Sequence, residues 1–158
     1  MNEGKVRRYR PNVAVVVLNH EGKLLACRRN DIPGVWQIPQ GGIDNGEEVT
    51  NAMYRELQEE IGTSEVTIIG CLPEVIQYDW PPELYSRGYH GQAQYYYLVR
   101  LNEPTKINLS STTTLPEFDA IEWMTRTEFI SRLNGFKQDV YTRALELLDR
   151  AFPGYILR

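Results

Sequence analysis

Residues 13–18 are continuously apolar and mostly β-branched, a pattern that predicts a strand buried on both faces. Residues 19–22 read as a turn, and 23–28 return as a second strand. Pro33, Gly34, Pro39, Gly41 and Gly42 punctuate residues 30–45, which predicts a loop. A helix is expected over 46–61, opened by Asn45 as N-cap with Glu48 three residues on in a capping-box pattern and closed by Gly62. Residues 65–78 predict a strand broken at Pro73, and 79–91 an exposed loop. Residues 92–101, with Tyr95-Tyr96-Tyr97-Leu98-Val99 at their centre, predict a further strand. The polar 102–116 stretch predicts another loop and Phe118–Met124 a short strand. Residues 125–133 and 138–152 predict two helices, the second with Val140, Ala144, Leu147 and Leu148 at helical spacing. Strands followed by helices in this order imply one α/β domain over residues 1–158, a mixed sheet covered by helices.

Plotting the 47–61 segment at about 100° per residue places Glu56, Glu59 and Glu60 within an arc of about 100°. Met53, Leu57 and Ile61 fall beside that arc, so the acids border the core stripe. Like charges at this spacing repel, and the repulsion grows where the local dielectric falls. Arg55 supplies one compensating charge. A solvated acidic face would give the same spacing, but a hard divalent cation would offset it better, and oxygen ligands without His or Cys select Mg²⁺ or Mn²⁺ over zinc. The preceding run Gln40-Gly41-Gly42-Ile43-Asp44-Asn45-Gly46 is a turn that lets backbone approach a ligand and feeds a helix start, where anions are favoured.

Composition narrows the class. The chain has 158 residues, 42% of them apolar, and a net charge of −4. Collagen, a disulfide scaffold and wholesale disorder are excluded, and no run is long enough to span a bilayer. The polar, basic start has no secretory h-region, and Cys27 and Cys71 show no metal spacing, so a reduced, cytoplasmic protein is expected. The net charge argues against a nonspecific nucleic-acid coat. Charge is nevertheless uneven, +3 over residues 1–10 and −5 over 44–60. Arg10 precedes the first buried strand and offers a permanently charged fork for phosphate. Arg29 ends the second strand. Phe136 beside Lys137 could stack a base and contact phosphate, although core packing would equally account for Phe136. Tyr78 ends a strand where it could reach phosphates or pack at the rim.

Gly41, Glu47, Arg55-Glu56-Leu57, Glu59-Glu60 and Gly62 resemble the box of the Nudix family, G-x5-E-x7-R-E-U-x-E-E-x-G-U, with U a bulky aliphatic. Thr63 in the last U position is the sole departure and is expected to affect packing alone. The resemblance implies an α/β/α sandwich with a mixed sheet and hydrolysis of a nucleoside diphosphate linked to another group. It implies metal binding by Glu56, Glu59 and Glu60, a backbone carbonyl at Gly41 facing a metal, and an orienting role for Arg55, with Glu47 structural.

Further segments resemble one branch of that family, the bacterial RNA pyrophosphohydrolases, also described as dinucleoside polyphosphate hydrolases. They are Tyr9-Arg10-Pro11-Asn12-Val13, Trp36 to Ile43, Ala52 to Leu57, Gly91-Gln92-x-Gln94, Pro116-Glu117-Phe118-Asp119 and Phe136-Lys137-x-Asp139-Val140-Tyr141. The 79–91 loop fits least well. The branch implies a fourth carboxylate, Glu117, near the metals. The expected reaction is in-line attack of water on a polyphosphate, assisted by Mg²⁺. On RNA with a 5′ triphosphate it yields a monophosphate end and pyrophosphate, a first step of mRNA decay. Hydrolysis of diadenosine polyphosphates is an alternative main task. A nucleotide-sensing module without catalysis is another, although such modules usually lose box glutamates.

Overall fold

The computed structural model describes residues 6–110 and 116–158. Strand β1 (Tyr9–Leu18) organises the rest. Its side chains alternate between two faces, as the pleat requires. Ala14, Val16 and Leu18 join one apolar cluster with Phe129, Leu133, Tyr141, Ala144, Leu145 and Leu148. Val13, Val15 and Val17 join another with Ala52, Met53, Leu57 and Ile61. Helix α1 (Val49–Ile61) therefore covers one face, and α2 (Arg126–Ser131) with α3 (Phe136–Ala151) covers the other. This is the expected α/β/α sandwich. Each buried Leu, Ile or Met of α1 contributes roughly 1.5–3 kcal/mol.

The remaining strands are β2 (Leu24–Arg29), β3 (Trp36–Gln37), β4 (Gln40–Gly42), β5 (Val66–Cys71), β6 (Ile76–Asp79), β7 (Gly91–Leu101) and β8 (Phe118–Met124). β1 lies parallel to β7 from Tyr9↔Gly91 to Leu18↔Arg100. On its other side β1 forks. Its start pairs antiparallel with β4 and its end with β2. β2 carries β3 and β8, and β7 carries β5 and β6. The sheet is therefore mixed.

Four boundaries differ from the sequence expectation. β1 starts at Tyr9, not at residue 13, because its ladder with β7 reaches back to Gly91. The 30–45 segment contains β3 and β4, not a loop alone, because Gln40–Gly42 completes the ladder that β2 leaves open on β1; tertiary pairing overrides the Gly/Pro signal. α1 starts at Val49, with Glu48 as N-cap, and the Asn45 capping box does not form. Gly46 adopts φ 78° and turns the chain before the helix, and Glu47 instead accepts the Asp44 N–H at 3.1 Å. α3 starts at Phe136, earlier than expected, behind Gly135 at φ 64°. Several other expectations hold. Gly62 closes α1 in the left-handed conformation. Thr125 caps α2 by accepting the Glu128 N–H at 3.2 Å. The strand break at Pro73 separates β5 from β6. Thr63, the departure from the box, is buried and its hydroxyl accepts the Glu65 N–H. Lys5 and Glu3, like residues 111–115 of the expected 102–116 loop, lie outside the described residues. Among the described residues no helix is long and apolar enough to cross a membrane.

Candidate active site

α1 meets the β4 edge of the sheet at the box. Arg55 is the hub of this contact. Its Nε and Nη2 grip both Glu47 oxygens at 2.9 Å, Nη2 also donates to the Gly42 carbonyl at 2.8 Å, and Nη1 donates to Glu56 at 2.8 Å and Glu59 at 3.4 Å. The bidentate pair holds the Glu47 carboxyl down to about 2, chiefly through its hydrogen bonds from Arg55. Glu47 thus locks Arg55, and Arg55 fixes Glu56. The helix–sheet approach leaves no room for a side chain at Gly41, where a Cβ would overlap the Glu56 carboxyl.

A polar cleft of about 310 Å³ opens here, lined by Glu56, Glu60, Glu117, Gly41, Arg10 and Arg29 among others. Glu56 and Glu60 are buried in α1. Glu60 accepts the Gln40 N–H at 3.3 Å. Glu117 is exposed as a residue, and it lines the cleft beside Glu60. Burial pushes the Glu60, Glu56 and Glu117 carboxyls up; the neighbouring carboxylates push Glu60 up further, and Arg55 opposes the rise at Glu56. Glu59 is exposed and lies against Arg55, at the rim. Among the described residues no three Asp, Glu, His or Cys groups form a ready-made metal shell. The donor chemistry nevertheless fits a hard divalent ion: an all-oxygen set of mutually repelling carboxylates packed against the bare backbone of Gly41. Glu56, Glu60 and Glu117 line this cleft and would be the groups to hold such an ion.

Arg10 packs directly over Gly42. Arg29, clamped by Asp31 at 2.9 and 2.6 Å, borders both this cleft and a second, mainly apolar cavity of about 210 Å³. Phe136, Lys137, Trp36, Ile32, Leu84 and Arg132 line the latter. Burial and the Arg29 charge lower the Lys137 ammonium to about 8, against a pull upward from Glu117. Tyr78 does not line either cavity. Its hydroxyl hydrogen-bonds Gln92, its ring lies 5.9 Å from Phe136, and burial raises it to about 12. Arg28 points elsewhere, to Asp119 at 2.7 Å.

Sequence alone assigns no site role to Asn12, Gln37, Gln40 or Gln92, which complete the cleft wall. Behind them Gln94 bonds Asn12 at 3.0 Å and Gln40 at 2.8 Å, and accepts the Tyr96 hydroxyl at 2.7 Å. Amides at alternate positions of two strands are the available signal, and they become meaningful once the Arg10↔Gln92 register is known.

Residues 8–144 match the NUDIX domain, and the chain belongs to the Nudix family. Within it, an RNA pyrophosphohydrolase of Campylobacter jejuni (serotype O:2) is 43% identical over 156 residues, covering 95% of this chain and 97% of that protein. One from Helicobacter pylori (strain P12) is 38% identical, covering 95% and 98%. Among solved structures, the E. coli dihydroneopterin triphosphate pyrophosphohydrolase aligns with TM-score 0.69 at 18% identity, covering 94% of this chain and 98% of that one. A C. elegans Ap4A hydrolase binary complex aligns with TM-score 0.66 at 22% identity, covering 90% and 99%. At these identities the structural likeness shows the shared fold.

Proposed function

We propose that this chain is an RNA pyrophosphohydrolase that converts a 5′-triphosphorylated RNA end to a monophosphate and pyrophosphate, the initiating step of mRNA decay in the cytoplasm. The observation that carries the reading is the adjoining pair of cavities. One holds three carboxylates and two arginines; the other holds two aromatic rings, Trp36 and Phe136, and a lysine; Arg29 lies in both. A polyphosphate fits the first and a base the second. Relatives named for this activity match nearly the whole chain.

In this reading Arg10, Arg29 and Lys137 receive the phosphates, and Phe136 stacks a base. Tyr78 acts through Gln92, which it holds at the cleft wall. Glu56, Glu59, Glu60 and Glu117 would hold Mg²⁺, for which Mn²⁺ can substitute, with the Gly41 backbone alongside. Bound divalent ions would neutralise the polyphosphate and acidify a water. Glu117 or a box glutamate accepts the proton of the attacking water. Arg55 keeps Glu56 in place.

The test is product analysis on triphosphorylated RNA with and without Mg²⁺. Monophosphorylated RNA and pyrophosphate are expected only with the metal, and Glu56→Gln is expected to nearly abolish turnover with the fold intact. Retained activity in that variant refutes the assignment. The same cavities would accept one half of a diadenosine polyphosphate, and side-by-side kcat/KM values rank the two substrates.

A further inference from the structure

Catalysis at the cleft uses Arg10 but leaves the basic chain start and the 79–91 segment, the stretch least like the family branch, without a task. These two pieces pack together. The His90 N–H donates to the Arg8 carbonyl at 2.8 Å, and the Arg8 N–H donates to His90 Nδ1 at 3.2 Å. Side chains alternate along this stretch. Arg7 goes to the Tyr85 hydroxyl at 3.0 Å and Tyr9 to Asp79 at 2.8 Å. Arg8 lies over the Tyr89 ring, 5.2 Å from its centroid, and two residues on Arg10 enters the cleft. Arg87 stands on the facing turn. Among the described residues no carboxylate pairs with Arg8, Arg10 or Arg87, because Asp79 is already committed to Tyr9 and Arg7. The segment's other acid is Glu83.

The turn that presents Arg87 is strained. Ser86 and Tyr89 bridge each other, and the two residues between them have φ 52° (Arg87) and φ 81° (Gly88). Positive φ at both central positions is the geometry that favours Asn-Gly. A long cationic residue in the left-handed region carries a cost, and such strain concentrates where function requires it. The same segment sends Leu84 into the apolar cavity beside Phe136. The two pieces thus reach the cleft through Arg10 and the apolar cavity through Leu84.

We propose that Arg8, Arg87 and the Tyr89 ring form a track for the sugar–phosphate chain of single-stranded RNA beyond the 5′ end held in the cleft. The inference rests on the cleft being an RNA-end site. Guanidinium groups interleaved with an aromatic face are the means by which proteins hold single strands without reading sequence. Arg8 and Arg10, two residues apart on extended chain, stand about 6.6 Å apart along it, close to the spacing of successive phosphates on a stretched strand. A few contacts of this kind coexist with a net charge of −4. The track makes the enzyme favour a transcript over a mononucleotide or a dinucleoside polyphosphate.

The experiment compares the intact chain with R8E/R87E, R8K/R87K and R87N on a triphosphorylated decamer and a triphosphorylated dinucleotide. Binding of a monophosphorylated decamer is followed in parallel by fluorescence anisotropy. R8E/R87E is expected to lose about tenfold in kcat/KM on the decamer, through KM, and to keep its rate on the dinucleotide. Its salt slope on the decamer should fall by about 1.4, about 0.7 for each phosphate no longer neutralised. R8K/R87K restores both. R87N, which relieves the turn, is expected to melt no lower than the parent yet bind the decamer more weakly. Equal losses on both substrates, or no loss and unchanged anisotropy, as for a surface that serves a protein partner, overturn the track. Decamer binding that depends on Arg8 and Arg87 without pyrophosphate release would instead overturn the cleft reading and leave the track standing.

Discussion

Replacing Lys137 by Met should make the protein more stable and the enzyme worse. The ammonium lies half-buried in the apolar cavity wall, and burial together with Arg29 lowers it from 10.5 to about 8. At about 1.4 kcal/mol per pH unit this drop corresponds to roughly 3 kcal/mol held against the folded charged form. Water reaching the cavity mouth reduces that, so about 1–3 kcal/mol is the expected gain at pH 7 when Met keeps the stem and removes the charge. For a chain of this length the melting temperature should rise by about 2–10 °C. The sign over pH follows from proton counting. Between about 8 and 10.5 the unfolded chain holds more protons at this position than the folded one, so wild-type stability rises with pH across that window. Below it the penalty is present in full. The stability gap between K137M and wild type is therefore widest below pH 8 and closes toward pH 10.5. Differential scanning calorimetry at pH 7, 9 and 10.5 reads this directly, and steady-state rates should show a higher KM. A variant that melts lower at pH 7, or a gap that does not change with pH, refutes the reasoning.

Three further outcomes follow from the site. Gly41→Ala places a methyl into the Glu56 carboxyl; β4 is pinned to Val13 and cannot yield, so turnover should fall roughly 100-fold with the fold retained by circular dichroism. Glu47 has a folded-state carboxyl near 2 against an ordinary 4.5, so its stabilisation is complete above pH 4.5 and is lost as pH falls toward 2; urea melts at pH 7 and pH 3 should differ less in Glu47→Gln than in wild type. Tyr96→Phe removes the buried hydroxyl that Gln94 accepts and should cost about 1–2 kcal/mol, seen as a lower denaturant midpoint.

The parts of this molecule legible in its sequence are those governed by local rules. The continuous Val13–Leu18 run announces a strand between two layers, and the wheel positions of Met53, Leu57 and Ile61 announce the buried face of α1. The box residues come together because five of them share two helical turns. What escapes depends on register. Nothing local marks Gln40–Gly42 as a strand, since its ladder partner is β1. Asn45 and Glu48 carry the letters of a capping box, yet Arg55, reaching back eight residues, recruits Glu47 and reorganises the turn. The amides of the cleft wall are unremarkable until β1 and β7 are laid side by side. The strand-end position of Tyr78 suggests a reach toward phosphates, whereas the structure gives its hydroxyl to Gln92.

The parallel pairing of β1 with β7 also bears on how the chain is made. Asn12 and Gln94, which touch across it, are separated by 82 positions in sequence. Contacts that distant close slowly. A nascent chain exposes the bare valine ribbon of β1 on the ribosome until its partner has been synthesised, and no cleft exists before then. Translation pausing ahead of residue 91 would therefore yield a sticky, inert fragment, and a chaperone that shields the first strand should raise the yield of active enzyme more than one that acts on the helices.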